Sequence, residues 1–291
     1  MYSRREFGQL VLAGAALPRF GASPGSALVN GVRVGVQTYS FRDVPRTAEG
    51  DMIEPLIRAM VACGLDECEL FAPHVEPAGK SREDLRAWRL QTPLDYFRGV
   101  KKRFDAAGIT VYAYNYSAKE DYTDAEIERG FEMAKALGAD IITASTTLAV
   151  AKRIAPFVEK HTMIVAMHGH SNISDPNEFA TPDSFAAAMK LSKYFKVNLD
   201  IGHFTAANFD AMAYIREHHA DITNLHLKDR KKNQGDNTPW GQGETPIREV
   251  LQLLKKERWP IRAYIEYEYR GAGSPVDEVK KCLALAKEAL A

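Results

Sequence analysis

From residue 32 to the C-terminus, short apolar runs rich in β-branched residues alternate with longer amphipathic stretches. The short runs predict strands and the amphipathic stretches predict helices, because the two structures differ in the spacing of their apolar positions. Gly64, Gly108 and Gly138 each stand between a predicted helix and the next strand, where a left-handed residue that ends the helix favours glycine. The predicted strands are 32–38, 67–71, 110–114, 141–145, 163–168, 196–200, 222–227 and 263–267. The predicted helices include 55–63, 93–107, 125–137, 181–194, 246–257 and 276–290.

Eight βα units over about 260 residues predict a closed (β/α)8 barrel of the TIM type, built as a single domain. An open, doubly wound sheet is the alternative, but it normally has fewer strands and a glycine-rich phosphate loop after the first one. Residues 37–42, at the end of the first predicted strand, read Gln-Thr-Tyr-Ser-Phe-Arg and contain no glycine. No linker or low-complexity tract divides the chain, so we expect one barrel domain over residues 28–291.

The first 27 residues have a different character and are predicted to be an export signal. Ser3-Arg4-Arg5-Glu6-Phe7 precedes a short, weakly apolar run at 11–17, which resembles a twin-arginine signal. The run is too short to span a bilayer, and the small residues at 21–27 offer cleavage points, plausibly after Ala27. We therefore expect a periplasmic or otherwise exported protein. The alternative is a basic N-terminus that happens to carry two arginines.

Composition restricts the possible partners. Lys+Arg and Asp+Glu both number 38, so the formal net charge is zero, and we expect neither nucleic acid nor an anionic membrane as a partner. No stretch after the signal is long and apolar enough to span a membrane, so none is expected in the mature form. The three cysteines, Cys63, Cys68 and Cys282, have no zinc-site spacing and are predicted to be buried small hydrophobic residues.

The ends of the last four predicted strands carry residues that bind metals. They are His168, Asp200, His226 and Glu266, one on each strand. Neighbouring parallel strands lie about 4.8 Å apart, so these side chains can converge on one ion. A mixed set of nitrogen and oxygen ligands favours one divalent Mn, Zn, Co or Fe ion over Mg or Ca, and we expect manganese foremost.

Further polar residues at strand ends are candidates for catalysis and substrate binding. Lys228 follows His226 by two residues, so it points to the same side and can neutralise a developing oxyanion. His203 can touch substrate hydroxyls or shuttle a proton, and Glu69 can bind substrate or act as a base. With Glu266, these three form the predicted catalytic set. The predicted substrate-binding residues are Tyr39, His74, Asn115, His170, Trp240 and Arg270.

Several motifs together resemble the sugar phosphate isomerase/epimerase family of xylose-isomerase-like barrels, over essentially the whole chain after the signal. They are Leu-Asp-x-Gly-His at 199–203, His-x-Lys-Asp at 226–229 and Ile-Glu-Tyr-Glu at 265–268, with supporting matches at 37–40, 67–71 and 240–244. The resemblance implies a metal held by Glu, Asp, His and Glu, of which the last three map to Asp200, His226 and Glu266. It also implies a possible homo-oligomer.

The first position of that ligand set departs from the family pattern. The family implies Ala-x-Glu-Asn-His, whereas residues 166–170 read Ala-Met-His-Gly-His, so His168 stands where a glutamate is expected. In such enzymes one glutamate removes a proton beside a carbonyl and the other returns it on the opposite face. With His168, isomerisation by another route, elimination and hydration remain open.

The predicted function is that of a metal-dependent sugar isomerase or epimerase. The expected substrate is a non-phosphorylated ketose, keto-sugar or glycoside, because export argues against phosphorylated substrates. The alternatives are a lyase or hydratase on 3-keto-glycosides within the same mechanism, and a periplasmic sugar-binding barrel that does not turn over its ligand. A phosphodiesterase or DNA-repair endonuclease on the same barrel is disfavoured by the neutral net charge.

Overall fold

The computed structural model describes residues 27–291, which fold into a closed barrel of eight parallel strands. The barrel strands are β1 (Val32–Gln37), β2 (Glu67–Phe71), β3 (Thr110–Asn115), β4 (Ile141–Ala144), β5 (Ile164–His168), β6 (Phe195–Asp200), β7 (Ile222–Leu227) and β8 (Arg262–Ile265). They pair in chain order, and β1 closes the barrel by pairing with β8. The predicted single-domain (β/α)8 barrel is therefore confirmed. A two-residue strand, Leu28–Val29, adds antiparallel to β1.

Helices fill the connections between the strands. They are α1 (Ile53–Cys63), α2 (Ala72–Val75), α3 (Arg82–Gln91), α4 (Leu94–Ala106), α5 (Asp124–Leu137), α6 (Leu148–His161), α7 (Pro182–Met189), α8 (Ile201–Ala206), α9 (Ala211–His218), α10 (Ile247–Glu257) and α11 (Pro275–Leu290). Helix α7 ends five residues before the predicted 194, because the Ser192 hydroxyl accepts the Tyr194 N–H (3.1 Å) in a turn instead. Within residues 27–291, no helix is long and apolar enough to cross a membrane.

The inside of the barrel changes from apolar to polar along its axis. Tyr112, Ala166 and Tyr264 belong to an apolar layer toward the N-terminal ends of the strands. Gly35 makes room for this layer, because a Cβ atom there would lie 2.6 Å from the Tyr264 ring. The layer above it is buried but polar, and it consists of Gln37, Glu69, Thr143, Asn198 and Asn224. This polar layer is the floor of the site at the C-terminal ends.

The connection between β2 and β3 is attached to α5 by a buried cluster of charges. Glu126 is fully buried and accepts hydrogen bonds from Arg82 (2.7 and 2.9 Å) and Arg86 (3.1 Å). Arg89 donates two hydrogen bonds to Glu76 (2.7 and 3.0 Å). Burial alone would raise the pKa of Glu126, but the arginine hydrogen bonds and a backbone N–H hold that pKa at about 2. The loops above β2 are thereby fixed in position.

Candidate active site

Four metal-binding side chains meet at the C-terminal ends of consecutive strands. His168 ends β5, Asp200 ends β6, His226 lies near the end of β7, and Glu266 directly follows β8. All four are at most 6% exposed, and a potential ligand atom of each lies within 4.8 Å of the other three. The strand register produces this meeting, since Asp200 is paired with His226 across β6 and β7. The structure thus brings together the four residues that the sequence predicts as metal ligands.

Each of the four side chains has one buried polar atom that makes no hydrogen bond of good geometry in the described chain, although the two carboxylate oxygens face the ammonium of Lys228. These atoms are His168 Nε2, Asp200 Oδ2, His226 Nδ1 and Glu266 Oε2. Buried polar atoms that lack well-formed hydrogen bonds are costly, and the convergence of four such atoms at one point suits a shared cation. His168 Nε2 lies 3.6 Å from Asp200 Oδ2, and His226 Nδ1 lies 3.2 Å from Glu266 Oε2. Two ligands about 2.1 Å from a tetrahedral ion are about 3.4 Å apart, so the donor set fits a divalent metal.

Both histidines are oriented by a partner on the ring nitrogen that faces away from the centre. The Ser145 hydroxyl lies 3.1 Å from His168 Nδ1, and Glu69 Oε2 lies 2.8 Å from His226 Nε2. If these outer nitrogens carry the protons, His168 Nε2 and His226 Nδ1 are free to bind a metal. Such partners fix the tautomer and increase the basicity of a metal-binding histidine.

Glu69 lies beneath the cavity and is completely engaged within the barrel. It is fully buried, and its contacts leave no lone pair directed at a substrate. Its donors are Gln37 Nε2 (2.5 Å), Thr143 Oγ1 (2.6 Å), His226 Nε2 (2.8 Å), Asn224 Nδ2 (2.9 Å) and Asn198 Nδ2 (3.4 Å). The structure therefore places Glu69 against His226 and outside the lining of the cavity, and its predicted role toward substrate stays a prediction.

Lys228 is surrounded by carboxylates. Its Nζ lies 2.8 Å from Asp200 Oδ2, 2.9 Å from Glu266 Oε2 and 2.6 Å from Glu268 Oε2. Burial alone would lower the pKa of Lys228, but the three carboxylates outweigh it and hold that pKa well above its ordinary value. The same contacts keep the pKa values of Asp200 and Glu266 well below theirs, against the opposing effect of burial. Lys228 is therefore a permanent cation beside the metal-binding atoms.

His203 lies between two cations and is kept neutral. It lies in the short helix α8, where its backbone N–H donates to Asp200 Oδ1 (2.8 Å). Arg230 Nη1 lies 2.7 Å from His203 Nδ1 and Lys228 Nζ lies 3.1 Å from His203 Nε2, so a cationic donor faces each ring nitrogen. Burial, followed by the ammonium of Lys228, lowers the pKa of His203 well below its ordinary value. The neutral ring can contact substrate hydroxyls and is poorly suited to shuttle a proton.

A cavity of about 340 Å³ opens above these residues. Eight predicted site residues line it: Tyr39, Asn115, His168, His170, His203, His226, Lys228 and Glu266. Four lining residues are absent from the predicted set, and they are Gln37, Phe71, Ser145 and Glu268. All four lie at or just beyond strand ends, but Gln37, Phe71 and Ser145 do not titrate, so a search for acids, bases and metal ligands passes over them.

Three residues predicted to bind substrate are not in this cavity. His74 packs behind Phe71, with ring centroids 5.5 Å apart, and lines a second cavity. Trp240 is drawn toward α10 and α11, because Asp229 Oδ2 accepts the N–H groups of Gly241 and Gly243 (2.8 and 3.0 Å) and fixes that loop. Arg270 is exposed beyond the rim. The structure thus places these three residues outside the cavity above the four candidate ligands, and their contact with substrate stays a prediction.

Comparison with known proteins extends these findings. The model of the family described as xylose isomerase-like TIM barrels matches residues 57–289. None of the curated proteins matches this sequence.

Among the solved structures that are similar to this chain, two are named as epimerases and one as a protein with bound zinc. D-psicose 3-epimerase from Clostridium cellulolyticum H10, solved with D-tagatose, has a TM-score of 0.63 at 14% identity, covering 88% of this chain and 99% of that one. The 3-keto-D-glucoside 4-epimerase YcjR from E. coli has a TM-score of 0.62 at 12% identity, with coverages of 88% and 99%. The IolI protein, solved with a zinc atom, has a TM-score of 0.63 at 13% identity, with coverages of 88% and 97%. At such identities the likeness concerns the fold.

Proposed function

Because this chain belongs to the xylose isomerase-like TIM-barrel family, we propose that it is a divalent-metal-dependent enzyme that isomerises or epimerises a non-phosphorylated keto-sugar or keto-glycoside. The observation that carries the proposal is the convergence of four buried ligand atoms, none in a well-formed hydrogen bond, at the ends of four consecutive strands. Two structural neighbours are named as epimerases of a ketose and of a 3-keto-glucoside, and a third as zinc-bound, which supports the same reading.

The ligands of the ion would be His168, Asp200, His226 and Glu266. Bound there, a Mn, Zn, Co or Fe ion would supply Lewis-acid polarisation of a substrate carbonyl, and manganese remains our first expectation. Removal of the proton next to that carbonyl begins isomerisation, epimerisation and β-elimination alike.

The cavity offers distinct groups for the steps of proton transfer. His170 lines it, and its ring makes no hydrogen bond within residues 27–291, so either nitrogen is available to a substrate. Glu266 also faces the cavity, with its Oε1 atom unengaged there. The charge of the Lys228 ammonium can stabilise an oxygen that gains negative charge, and the neutral His203 ring can contact a sugar hydroxyl. Asn115, anchored through Nδ2 to Thr143 Oγ1 (3.1 Å), presents its carbonyl oxygen to a further hydroxyl.

The charge of the lining favours a substrate without phosphate. Among the residues that line the cavity, Lys228 is the only lysine or arginine. Its ammonium is already within 2.9 Å of three carboxylates. Phosphate sites usually present several donors and a net positive field, often with arginine forks. A neutral sugar is therefore the better match.

A lyase or hydratase on 3-keto-glycosides is the second candidate. The observation that favours it is His168, which stands in the cavity wall where the family pattern has a glutamate. With one carboxylate of the pair replaced, return of the proton on the opposite face is impaired, and expulsion of a leaving group competes. A non-catalytic sugar-binding barrel would bind the same ligands and leave them unchanged.

Export through the twin-arginine route, to the periplasm, is part of the proposal, although residues 1–26 lie outside the described residues. Ala27, the first described residue, is 1% exposed; its N–H donates to Asp66 Oδ1 (2.6 Å), and its carbonyl accepts from the Val34 N–H (2.7 Å). Cleavage after Ala27 would remove these contacts, so we place the signal boundary before Ala27.

The decisive experiment measures the metal content of the purified protein by mass spectrometry, for wild type, His226→Ala and His168→Glu. We expect about one ion per chain in wild type and loss in His226→Ala. Retention in His168→Glu would support residue 168 as a ligand position. Keto-sugars are then screened by NMR in D₂O for deuterium uptake beside the carbonyl, which His226→Ala should abolish. A metal-free wild type after reconstitution would refute the metal mechanism and favour the binding-protein reading.

A further inference from the structure

A second cavity, of about 270 Å³, adjoins the first at the C-terminal face of the barrel. It lies between the loop after β1 and the segment after β2, and it is lined in part by Arg46, Asp51, His74, Glu76, Trp88 and Tyr96. The two cavities are separated by the edge-to-face pair of Phe71, which lines the first, and His74, which lines the second. A ligand that passes over Phe71 would reach both.

Three of the four charged residues that line the second cavity are already paired within the protein, and the fourth, Glu49, is exposed. Glu76 receives two hydrogen bonds from Arg89 (2.7 and 3.0 Å). Asp51 receives two from Arg103 (3.0 and 2.6 Å). Arg46 donates to two backbone carbonyls (3.0 and 2.6 Å). The walls are therefore rigid, and these groups have little left to offer an ion.

His74 is the exception, because its Nε2 is buried and has no hydrogen-bond partner in the described chain. Its Nδ1 lies 3.1 Å from Thr38 Oγ1, which already accepts the Phe71 N–H (2.8 Å). The buried Thr38 hydroxyl needs an acceptor for its own proton, and His74 Nδ1 supplies it. His74 Nε2 then carries a hydrogen and is an unused donor. Burial, with the nearby Arg46, lowers the pKa of His74 to about 3, so the ring is neutral.

Two aromatic rings form the outer wall. Trp88 and Tyr96 meet edge to face with centroids 5.7 Å apart, and Tyr96 is fixed by donating to the Val75 carbonyl (2.8 Å). Tyr96 is nevertheless 43% exposed, and Trp88 is half-buried. Rigid, partly exposed aromatic rings beside one donor suit a ring-shaped ligand that stacks and offers an oxygen acceptor.

We propose that this cavity is a subsite for a second ring of the substrate, sugar or aromatic, which packs against Trp88 and accepts a hydrogen bond from His74 Nε2. The substrate is then a glycoside and not a free ketose. The assignment of the reacting ring to the first cavity rests on the function proposed above, whereas the subsite itself does not.

The test measures binding of unreactive glycosides by calorimetry. The probes are methyl β-D-glucoside, with one ring, and methyl β-D-cellobioside and phenyl β-D-glucoside, each with two. We expect wild type to bind at least one two-ring probe about tenfold more tightly than the one-ring probe, the contribution of one packed ring. The cellobioside arm identifies a second sugar, and the phenyl arm identifies an aromatic group.

Two variants test whether the gain in affinity for the two-ring probes arises in the second cavity. Trp88→Ala and His74→Phe should each remove it and leave the affinity for methyl glucoside unchanged. Trp259→Ala is the matched control, since Trp259 stacks on His219 (4.2 Å) just before β8, at the opposite end of the barrel. Equal affinities for all three probes, or a gain that survives in both variants, overturns the subsite. Repeating the titration in His226→Ala distinguishes the subsite from the proposed metal-dependent function. We expect this variant to lose metal and turnover but to keep the Trp88-dependent gain in affinity for the two-ring probes.

Discussion

Replacement of Glu69 by glutamine tests whether the polar floor of the barrel holds the metal site in shape. The substitution preserves size but converts one carboxylate oxygen into an amide nitrogen, which donates. Gln37 and Thr143 donate to one oxygen of Glu69, and His226 and Asn224 donate to the other. Whichever of the two oxygens the amide nitrogen replaces, at least two of these donors then meet an N–H group instead of an acceptor.

The structure also gives the expected size of the effect. Hydrogen bonds to charged groups contribute about 1.5–3 kcal/mol each, so loss of two destabilises the fold by about 3–6 kcal/mol. For a chain of this size that lowers Tm by roughly 10 °C. His226 in addition loses its anionic partner, and such partners typically account for a 10–100-fold difference in metal affinity.

Metal affinity is measured by competition with a chromogenic chelator, and Tm by calorimetry on the metal-free protein. Glu67→Gln is the matched control: Glu67 is equally buried, two residues earlier on β2, and accepts from Tyr264 Oη (2.9 Å) in the layer below. We expect the control to lose stability but keep its metal affinity. An unchanged affinity in Glu69→Gln, or an equal loss in Glu67→Gln, would refute the argument that Glu69 acts through His226.

Three further predictions concern single contacts. Ser145→Ala removes the partner of His168 Nδ1 and should weaken metal binding roughly tenfold in the same chelator assay, with little change in fold stability. Arg230→Gln removes the nearer of the two cations at the His203 ring, so ¹⁵N NMR of the histidine rings should show more protonation of Nδ1 than in wild type. Because the pKa of Glu126 is depressed from 4.5 to about 2 in the fold, its stabilising contribution is complete above about pH 4.5 and lost as pH falls through 2. The difference in urea stability between wild type and Glu126→Gln should therefore shrink over that interval.

The barrel and the metal quartet could be predicted from the sequence because both follow from local rules. Strands that carry their polar residues at the C-terminal end must present them on one face once the sheet closes in chain order. His168, Asp200, His226 and Glu266 needed no knowledge of loop paths to be grouped, since each is attached to the barrel itself.

The positions of other side chains could not be predicted from the sequence where their direction depends on long-range contacts. Glu69 lies on a strand, but its engagement with donors from four other strands, among them Asn198 and Asn224, is visible only after closure. Trp240 is positioned by a loop that Asp229 folds back on itself, and His74 is turned by Thr38, 36 residues away. Spacing along the chain contains none of this information.

The replacement of a glutamate by His168 also changes what the site can bind. With a dication in place and both ligand histidines neutral, Asp200 and Glu266 balance the ion, and Lys228 balances Glu268. Glu69 then leaves one negative charge in excess beneath the cavity, and a glutamate at position 168 would have added a second. A phosphorylated sugar would bring two more negative charges into this buried surrounding, at a desolvation cost that no free cation among the lining residues offsets. A neutral keto-sugar, as proposed above, would enter without that cost, and the charge it would develop on losing a proton would arise beside Lys228 Nζ, the one permanent cation that the lining provides.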